Sequence, residues 1–224
     1  MSNQPALVLF DIAGTLIHDS SRTVDAYRAV LDGEGIPMDP DWIRERIGCS
    51  KVAVFKELLG VHGRSPDAGQ DLARRFAQVL ESSMAVDPPV PFSEVEELLG
   101  VLRRSGIPVA LVTGFDAGTA EFIRHACHWT VDAVVGSDEV AHGRPSPDLV
   151  LEAMRRCDIG EVSRVAAVGD TPRDLQLGKA AGCGWNIGVA SGSYSEEELR
   201  SHAHTHVLAS LEELPEAIGL QGVD

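Results

Sequence analysis

The sequence predicts an α/β fold, a doubly wound parallel sheet with an inserted all-helical domain. Short apolar runs alternate with helical segments over residues 93–218, which is the pattern of a parallel sheet with crossover connections. Only helical periodicity occurs between the first apolar run and residue 86. Three of the runs end in polar side chains, as expected of an α/β sheet whose strand ends bind a ligand.

The first apolar run, residues 7–10, predicts a buried strand of the parallel sheet. An acid and a group of small or turn-forming residues follow it: Asp11, Ile12, Ala13, Gly14 and Thr15. Gly14 allows a sharp turn that leaves backbone amides facing whatever Asp11 meets. The alternative is an ordinary strand-end Asp that caps the next turn.

The segment after this strand predicts an all-helical domain over residues 17–90, with the α/β core formed by residues 1–16 and 91–224. Helices are predicted over residues 23–31, 42–47, 51–59 and 71–84. In the first of them, Val24, Tyr27 and Leu31 share one face. The proline-rich stretch 86–91 predicts an extended return linker.

The remaining chain predicts the rest of the sheet and its covering helices. Strands are predicted over residues 109–112, 131–135, 165–168, 185–189 and 206–208. Helices are predicted over residues 94–105, 117–127, 148–157, 175–181 and 211–218. The turn-rich loop 188–192 follows a strand, so we expect it near the ligand-binding edge of the sheet.

Composition restricts the class of partner. The chain has 224 residues and a formal net charge of −15, which argues against nucleic acid or an anionic membrane as the partner. No apolar run reaches the length of a transmembrane helix or resembles a signal peptide, so we expect a cytoplasmic protein. The four scattered cysteines predict reduced, buried thiols and no zinc site. The sequence leaves open whether the protein forms a homodimer.

Asp11, Thr113, Asp170 and Asp174 follow three different predicted strands. The carboxyl ends of parallel strands lie at one edge of a sheet, so we expect these side chains to converge. Carboxylates bind Mg²⁺ through oxygen, and the metal reduces the repulsion between an attacking carboxylate and a phosphoryl group. For Asp170 and Asp174 the alternative is a helix N-cap and a first-turn acid.

Several motifs together resemble those of the haloacid dehalogenase-like (HAD) hydrolases, in which the first Asp forms a covalent aspartyl intermediate. They are Asp11-Ile12-Ala13-Gly14-Thr15, Thr113-Gly114-Phe115, Arg144 between Gly143 and Pro145, and Asp170 with Asp174. The resemblance implies a Rossmann-like core with a helical cap. It also implies a set of site residues. Asp11, the Ala13 carbonyl, Asp170 and Asp174 would hold Mg²⁺, and Gly14, Thr15, Thr113, Gly114, Phe115 and Arg144 would meet the substrate. The alternative for Arg144 is a solvated loop side chain.

Ala13 stands where most phosphatases of that family have a second Asp, and the variant resembles phosphonoacetaldehyde hydrolase. The stretch 47–51, Ile-Gly-Cys-Ser-Lys, resembles the cap motif of that group. The resemblance implies that Lys51 forms a Schiff base, whereas the alternative is a surface helix Lys. Two positions depart from the pattern, because Val54 replaces a His and Phe115 replaces a Tyr.

The sequence therefore predicts a Mg²⁺-dependent hydrolase that acts on a small phosphonate or phosphate ester through Asp11. One alternative is a phosphomonoesterase that lacks a side-chain general acid. Another is a non-catalytic protein that binds a phosphate ligand. A dehalogenase is disfavoured because such enzymes do not need Asp170 and Asp174 for a metal.

Overall fold

Six parallel strands form the central sheet in the computed structural model, which describes residues 4–19 and 21–220. The strands are β1 (Leu7–Phe10), β2 (Val109–Val112), β3 (Ala133–Val135), β4 (Val165–Gly169), β5 (Trp185–Val189) and β6 (His206–Leu208). Their order in the sheet is β3-β2-β1-β4-β5-β6. The chain moves outward from β1 to β3 and then crosses to β4 on the other side of β1. Ligands bind beside such a reversal in strand order.

Helices cover both faces of the sheet. In the described residues the α-helices are α1 (Arg22–Glu34), α2 (Pro40–Arg44), α3 (Lys51–Val61), α4 (Gly69–Val86), α5 (Val95–Arg104), α6 (Ala117–Ala126), α7 (Asp148–Arg156), α8 (Pro172–Ala181), α9 (Glu196–Arg200) and α10 (Leu214–Ala217). Short 3₁₀ helices span Pro66–Ala68, Val162–Arg164 and Leu211–Glu213. Strands β1, β2 and β4 are fully buried, which explains their continuous apolar sequences.

Side chains of β1 alternate between two hydrophobic cores. Val8 and Phe10 join the core that also contains the inner faces of α1, α3 and α4. Leu7 and Leu9 join a second core beneath α7. The alternation follows the two-residue period of a strand and places helices on both faces, as a doubly wound sheet requires.

Helices α1 to α4 occupy the insertion that follows β1. Helices α1, α3 and α4 pack around the buried rings of Tyr27, Phe55 and Phe76. At the start and end of the insertion, Ile17 pairs with Pro91 and the His18 N–H donates to the Val90 carbonyl at 3.0 Å. These contacts coincide with the predicted boundaries. The division into a cap of residues 17–90 and a core of residues 1–16 and 91–224 stays a prediction.

Capping boxes start two helices at positions that the sequence did not predict. Helix α8 begins at Pro172, before the predicted residue 175, since Thr171 and Asp174 bond each other reciprocally through side chain and backbone. Helix α9 was not predicted, and a second capping box between Ser195 and Glu198 starts it. This helix is only five residues long, so its hydrophobic periodicity is too short to detect.

Two further elements are shorter than predicted. Strand β3 starts at Ala133 because the Asp132 carboxylate accepts a hydrogen bond from the Val109 N–H at 2.8 Å, just before the ladder begins. The predicted helix 211–218 is split into a 3₁₀ turn and α10, whose second residue is Pro215. Proline lacks the N–H that would continue the preceding helical turn.

All four cysteines are free thiols, as expected, but they are half-buried and not fully buried. Each lies at or just beyond a helix end: Cys49, Cys127, Cys157 and Cys183. Of the helices in the described residues, none has the length and apolarity that a membrane crossing requires.

Candidate active site

The polar residues that follow β1, β2 and β4 meet at one edge of the sheet. Asp11 follows β1 directly, and its N–H donates to the Val168 carbonyl at 3.0 Å, which holds it against β4. Thr113 follows β2 and Asp170 follows β4. Because β2 and β4 flank β1, all three side chains share one buried site, and Asp11 is only 6% exposed.

Arg144 links the acids of this site. Its Nη2 lies 2.7 Å from Asp11 Oδ1 and 3.1 Å from Asp174 Oδ1, and its side chain is 0% exposed. The same nitrogen donates to the Val112 carbonyl at 2.7 Å. Burial acts to lower the pKa of Arg144, but the charges of Asp174 and Asp11 outweigh it and raise the pKa. Arg144 is therefore a buried, fully charged site residue and not a solvated loop side chain.

Asp170 is held on both carboxylate oxygens. Thr15 Oγ donates to Oδ1 at 3.1 Å, and the Ser193 N–H donates to Oδ2 at 3.1 Å. Gly14, at φ +87°, and Gly192 both press against this carboxylate, since a Cβ would lie 2.4 Å and 1.9 Å from Oδ2 respectively. The loop 188–192 thus reaches the edge of the sheet at which Asp170 lies, as expected. Glycine is needed at both positions because the backbone approaches the carboxylate so closely.

Asp174 is the first-turn acid of α8, as the alternative from sequence had it, and it also faces the site. As the third residue of α8 it accepts hydrogen bonds from Thr171 through Oδ2, at 3.0 Å from the N–H and 2.5 Å from the hydroxyl. Its Oδ1 faces Arg144. The capping box therefore fixes the orientation in which Asp174 presents its second oxygen to the site.

The charges of this site are suited to a divalent cation. Burial, opposed in part by Arg144, raises the pKa of Asp11 to about 6. Burial and the neighbouring charges of Asp11 and Asp174 raise the pKa of Asp170 well above its ordinary value. In the described part of the chain, Arg144 is the one cation within salt-bridge distance of Asp11 and Asp174, and no cation lies that close to Asp170. One guanidinium does not neutralise three acids, and a divalent cation would supply the missing charge.

Within residues 4–19 and 21–220, no group of three or more His, Cys, Asp or Glu side chains is arranged so that it could hold a metal ion. Magnesium does not need three such side chains, because it keeps several waters and takes one or two carboxylates. The groups that could hold it at this edge are Asp11, the Ala13 carbonyl, Asp170 and Asp174. Their role as ligands stays a prediction.

Thr113 and Gly114 form the second side of the site. The Thr113 hydroxyl oxygen accepts a hydrogen bond from the Phe115 N–H at 3.2 Å, which leaves its proton free to donate to a substrate oxygen. A Cβ on Gly114 would lie 2.4 Å from the Gly48 carbonyl oxygen and 2.6 Å from that of Cys49. The loop before α3 therefore packs directly on the strand end, and Gly114 permits this contact.

Lys51 is buried and not a surface side chain, with 6% of the residue exposed. Its Nζ lies 4.9 Å from the ring centre of Phe115, 5.5 Å from Phe76 and 5.7 Å from Tyr27. The amine also donates to the Cys49 carbonyl at 3.3 Å. Burial is the main cause that lowers its pKa, from 10.5 to about 8, although the nearby acidic groups oppose it. This is the environment in which a Lys becomes a nucleophile near neutral pH.

Three residues of the site were not predicted from the sequence. Tyr27 and Phe76 were predicted only as helix residues, and Ser193 was not singled out. Helical periodicity places Tyr27 and Phe76 on buried faces, but it does not show that both rings border Lys51. Ser193 acts through its backbone N–H, which leaves no signal in residue type.

A cavity of about 510 Å³ opens beside Lys51 between α4 and the core loops, and Ala73, Asp116 and Ser137 also line it. Asp11 does not line this cavity. The loop before α3 lies over this edge of the sheet, since Arg144, which contacts Asp11, donates through Nη1 to the Gly48 carbonyl at 3.3 Å. The structure therefore shows the insertion closed over the strand ends.

Comparisons with known proteins identify relatives of this chain. The family model for haloacid dehalogenase-like hydrolases matches residues 5–182. A probable phosphatase, IndB of Dickeya dadantii, is 31% identical over 87% of this chain and 85% of its own length. A phosphonoacetaldehyde hydrolase of Parabacteroides distasonis is 29% identical over 87% of this chain and 81% of its own.

Solved structures share the fold. The crystal structure of a phosphonoacetaldehyde hydrolase-like protein from Oleispira antarctica superposes with a TM-score of 0.83 at 24% identity, covering 97% of this chain and 92% of that protein. At this identity the likeness concerns the fold alone. It supports the overall fold described above.

Proposed function

This chain belongs to the haloacid dehalogenase-like hydrolases, and we propose that it is a Mg²⁺-dependent hydrolase that attacks the phosphorus of a small molecule through Asp11. The observation that supports it best is the position of Arg144, 2.7 Å from Asp11 Oδ1 and within a buried edge that also holds Asp170. A phosphoryl group placed there would meet the nucleophile, a guanidinium and the Thr113 hydroxyl together.

Each residue of the site has its own role in the proposed reaction. Bound Mg²⁺ would neutralise phosphoryl charge and lower its repulsion from the attacking carboxylate. Asp11 attacks phosphorus, the bond from phosphorus to the organic part of the substrate breaks, and that part leaves with the electron pair. Water then hydrolyses the aspartyl-phosphate to phosphate and free Asp11. Arg144 and Thr113 hold the phosphoryl oxygens. The cap loop around Gly48 excludes water from the closed site and must open for substrate entry.

We further propose that the substrate is a phosphonate with an aldehyde group, which Lys51 binds covalently. The neutral amine attacks the aldehyde carbon, and the adduct takes up a proton and loses water to form an iminium. When Asp11 attacks phosphorus, the P–C bond breaks and its electron pair moves into the iminium, giving an enamine. Protonation at carbon and hydrolysis then release the aldehyde and free Lys51. The buried position of Lys51 and its pKa of about 8 support this route.

The second candidate function is hydrolysis of a phosphate ester. Ala13 offers no proton to an alkoxide leaving group, and loss of general acid catalysis costs about 10²–10⁴ in rate. An ester with a good leaving group avoids that cost. The likeness to a protein named a probable phosphatase, together with Val54 and Phe115 at the positions of the expected His and Tyr, favours keeping this candidate.

A non-catalytic phosphate-binding role is the third candidate. Ala13 is consistent with it, but binding alone gives no chemical reason for a nucleophilic Asp11 beside Arg144. Asp11→Asn separates the two cases, because a pure binding protein keeps its ligand affinity in this variant. An enzyme loses turnover.

The test is Mg²⁺-dependent phosphate release from phosphonoacetaldehyde and from a panel of phosphomonoesters, for wild type, Asp11→Asn and Lys51→Arg. We expect the wild type to release phosphate from phosphonoacetaldehyde and both variants to lose this activity. Release only from esters, lost in Asp11→Asn but kept in Lys51→Arg, would establish the phosphatase instead. Absence of release from every compound would contradict both enzymatic candidates for these substrates.

A further inference from the structure

The Tyr27 hydroxyl is a buried hydrogen-bonding group that the proposed mechanism does not use. The residue is 0% exposed, and its hydroxyl has no hydrogen-bond partner among the described residues. Buried hydroxyl groups are nearly always paired, because an unpaired one forgoes its hydrogen bonds to water. The missing hydrogen-bond partner of the Tyr27 hydroxyl, close to Lys51, therefore needs an explanation.

Tyr27 borders the amine that the proposed reaction uses. Lys51 Nζ lies over its ring at 5.7 Å from the centre, while Phe76 and Phe115 form the other aromatic walls around Nζ. Those two rings have no polar atom. Tyr27 is consequently the one aromatic wall of Lys51 that offers a hydrogen-bond donor to a bound molecule.

The direction of the side chain also favours the active site. Helix α1 begins close to the junction with the core, where Ile17 pairs with Pro91. Long side chains in helices usually lean toward the helix N-terminus, which for Tyr27 is the direction of this junction. Asp19 lies at the same end of α1, where it accepts a hydrogen bond from the Thr23 hydroxyl at 3.0 Å, and its charge acts on Lys51.

We propose that Tyr27 is a substrate-recognition residue whose hydroxyl donates a hydrogen bond to an oxygen on the organic part of the substrate, next to Lys51. The inference rests on the proposed function for the position of the phosphoryl group. It specifies the substrate class, a small phosphorus compound with a carbonyl or hydroxyl oxygen close to phosphorus. Burial raises the pKa of Tyr27, so the hydroxyl is protonated and able to donate at any physiological pH.

A pair of inert ligands tests the proposal by calorimetry. 2-Hydroxyethylphosphonate and ethylphosphonate differ by one hydroxyl, and neither has the carbonyl that an imine requires. Wild type with Mg²⁺ is expected to bind the hydroxylated ligand about tenfold more tightly, the usual effect of one hydrogen bond. Tyr27→Phe should remove this preference and leave the affinity for ethylphosphonate unchanged.

Tyr194→Phe is the matched control, because Tyr194 is the other tyrosine of the chain and its hydroxyl already donates to the Arg44 carbonyl at 3.0 Å. This variant should keep the ligand preference. Absence of a preference in wild type, or a preference that survives in Tyr27→Phe, would overturn the proposal. So would its loss in Tyr194→Phe.

Urea unfolding gives a second measurement. Since the Tyr27 hydroxyl has no partner in the ligand-free protein, Tyr27→Phe should unfold at the same urea concentration as wild type or a higher one. A clear decrease would mean that the hydroxyl is already paired in the free protein, which contradicts the proposal. Neither measurement depends on turnover, so failure of phosphate release refutes the proposed function without affecting the ligand preference.

Discussion

The guanidinium of Arg144 lies 2.7 Å from Oδ1 of Asp11, and the Arg144 side chain is fully shielded from solvent. Only 8% of the Asp11 side chain is exposed. A buried pair of this kind contributes little net stability, but removal of one partner leaves a buried charge without compensation. The consequences for stability and chemistry can be measured separately.

Arg144→Met should lower the free energy of unfolding by about 3–5 kcal/mol, because Asp11 and Asp174 would lose their shared cation. Urea unfolding at neutral pH measures it. Arg103→Met removes an exposed Arg of α5 and serves as control, with an expected change within about 0.5 kcal/mol. Equal losses in the two variants would show that the buried pair has no special role.

Imine formation at Lys51 should follow the lowered pKa of its amine. Only the neutral amine attacks a carbonyl, so the rate should rise about tenfold per pH unit below pH 8 and level off above about pH 9. Borohydride trapping with phosphonoacetaldehyde between pH 6 and 10 measures this. Lys56→Met, which removes an exposed Lys of the same helix, should leave the profile unchanged, and Lys51→Met should abolish trapping. A midpoint near 10.5 would contradict the burial effect.

Ala13→Asp should add the general acid that the site lacks. Hydrolysis of alkyl phosphates is then expected to increase by about 10²–10⁴, whereas p-nitrophenyl phosphate should change little because its leaving group needs no proton. Ala13→Asn is nearly the same size but cannot supply the proton. An equal increase for both esters, or an increase in Ala13→Asn, would count against general acid catalysis from this position.

Gly14→Ala should damage the site by displacing Asp170. The new Cβ would lie 2.4 Å from Asp170 Oδ2, so we expect slower hydrolysis that needs a higher Mg²⁺ concentration for half of its maximal rate. Gly63→Ala is the control. It also has positive φ, +66°, but its Cβ would meet no atom within 4 Å, so only the left-handed strain of about 1–2 kcal/mol applies.

Two measurements separate these effects. Urea unfolding reports the strain that both variants share, and a Mg²⁺ titration of the hydrolysis rate reports the displacement of Asp170. A normal Mg²⁺ titration in Gly14→Ala would show that Asp170 does not contribute to metal binding.

By itself the sequence determined the α/β class, β1, β2, β5 and β6, and the convergence of Asp11, Thr113 and Asp170. These follow from local rules: buried parallel strands are short apolar runs, and parallel strands end at one edge of a sheet. Their polar endings were therefore sufficient to predict a shared site. The start of α8 was not predictable in the same way, because it depends on the reciprocal bonds between Thr171 and Asp174.

Only the tertiary structure decided the states of Lys51 and Arg144. Each had a solvated alternative in the sequence, and each is buried by segments that are distant along the chain. Arg144 donates to the carbonyl of Gly48 in the loop before α3, and Lys51 lies over the ring of Phe115, which follows β2. The Tyr27 hydroxyl, likewise, is buried and unpaired because of contacts with segments that are distant along the chain. Burial, charge compensation and hydrogen-bond satisfaction are set by such long-range contacts, which residue type and spacing do not encode.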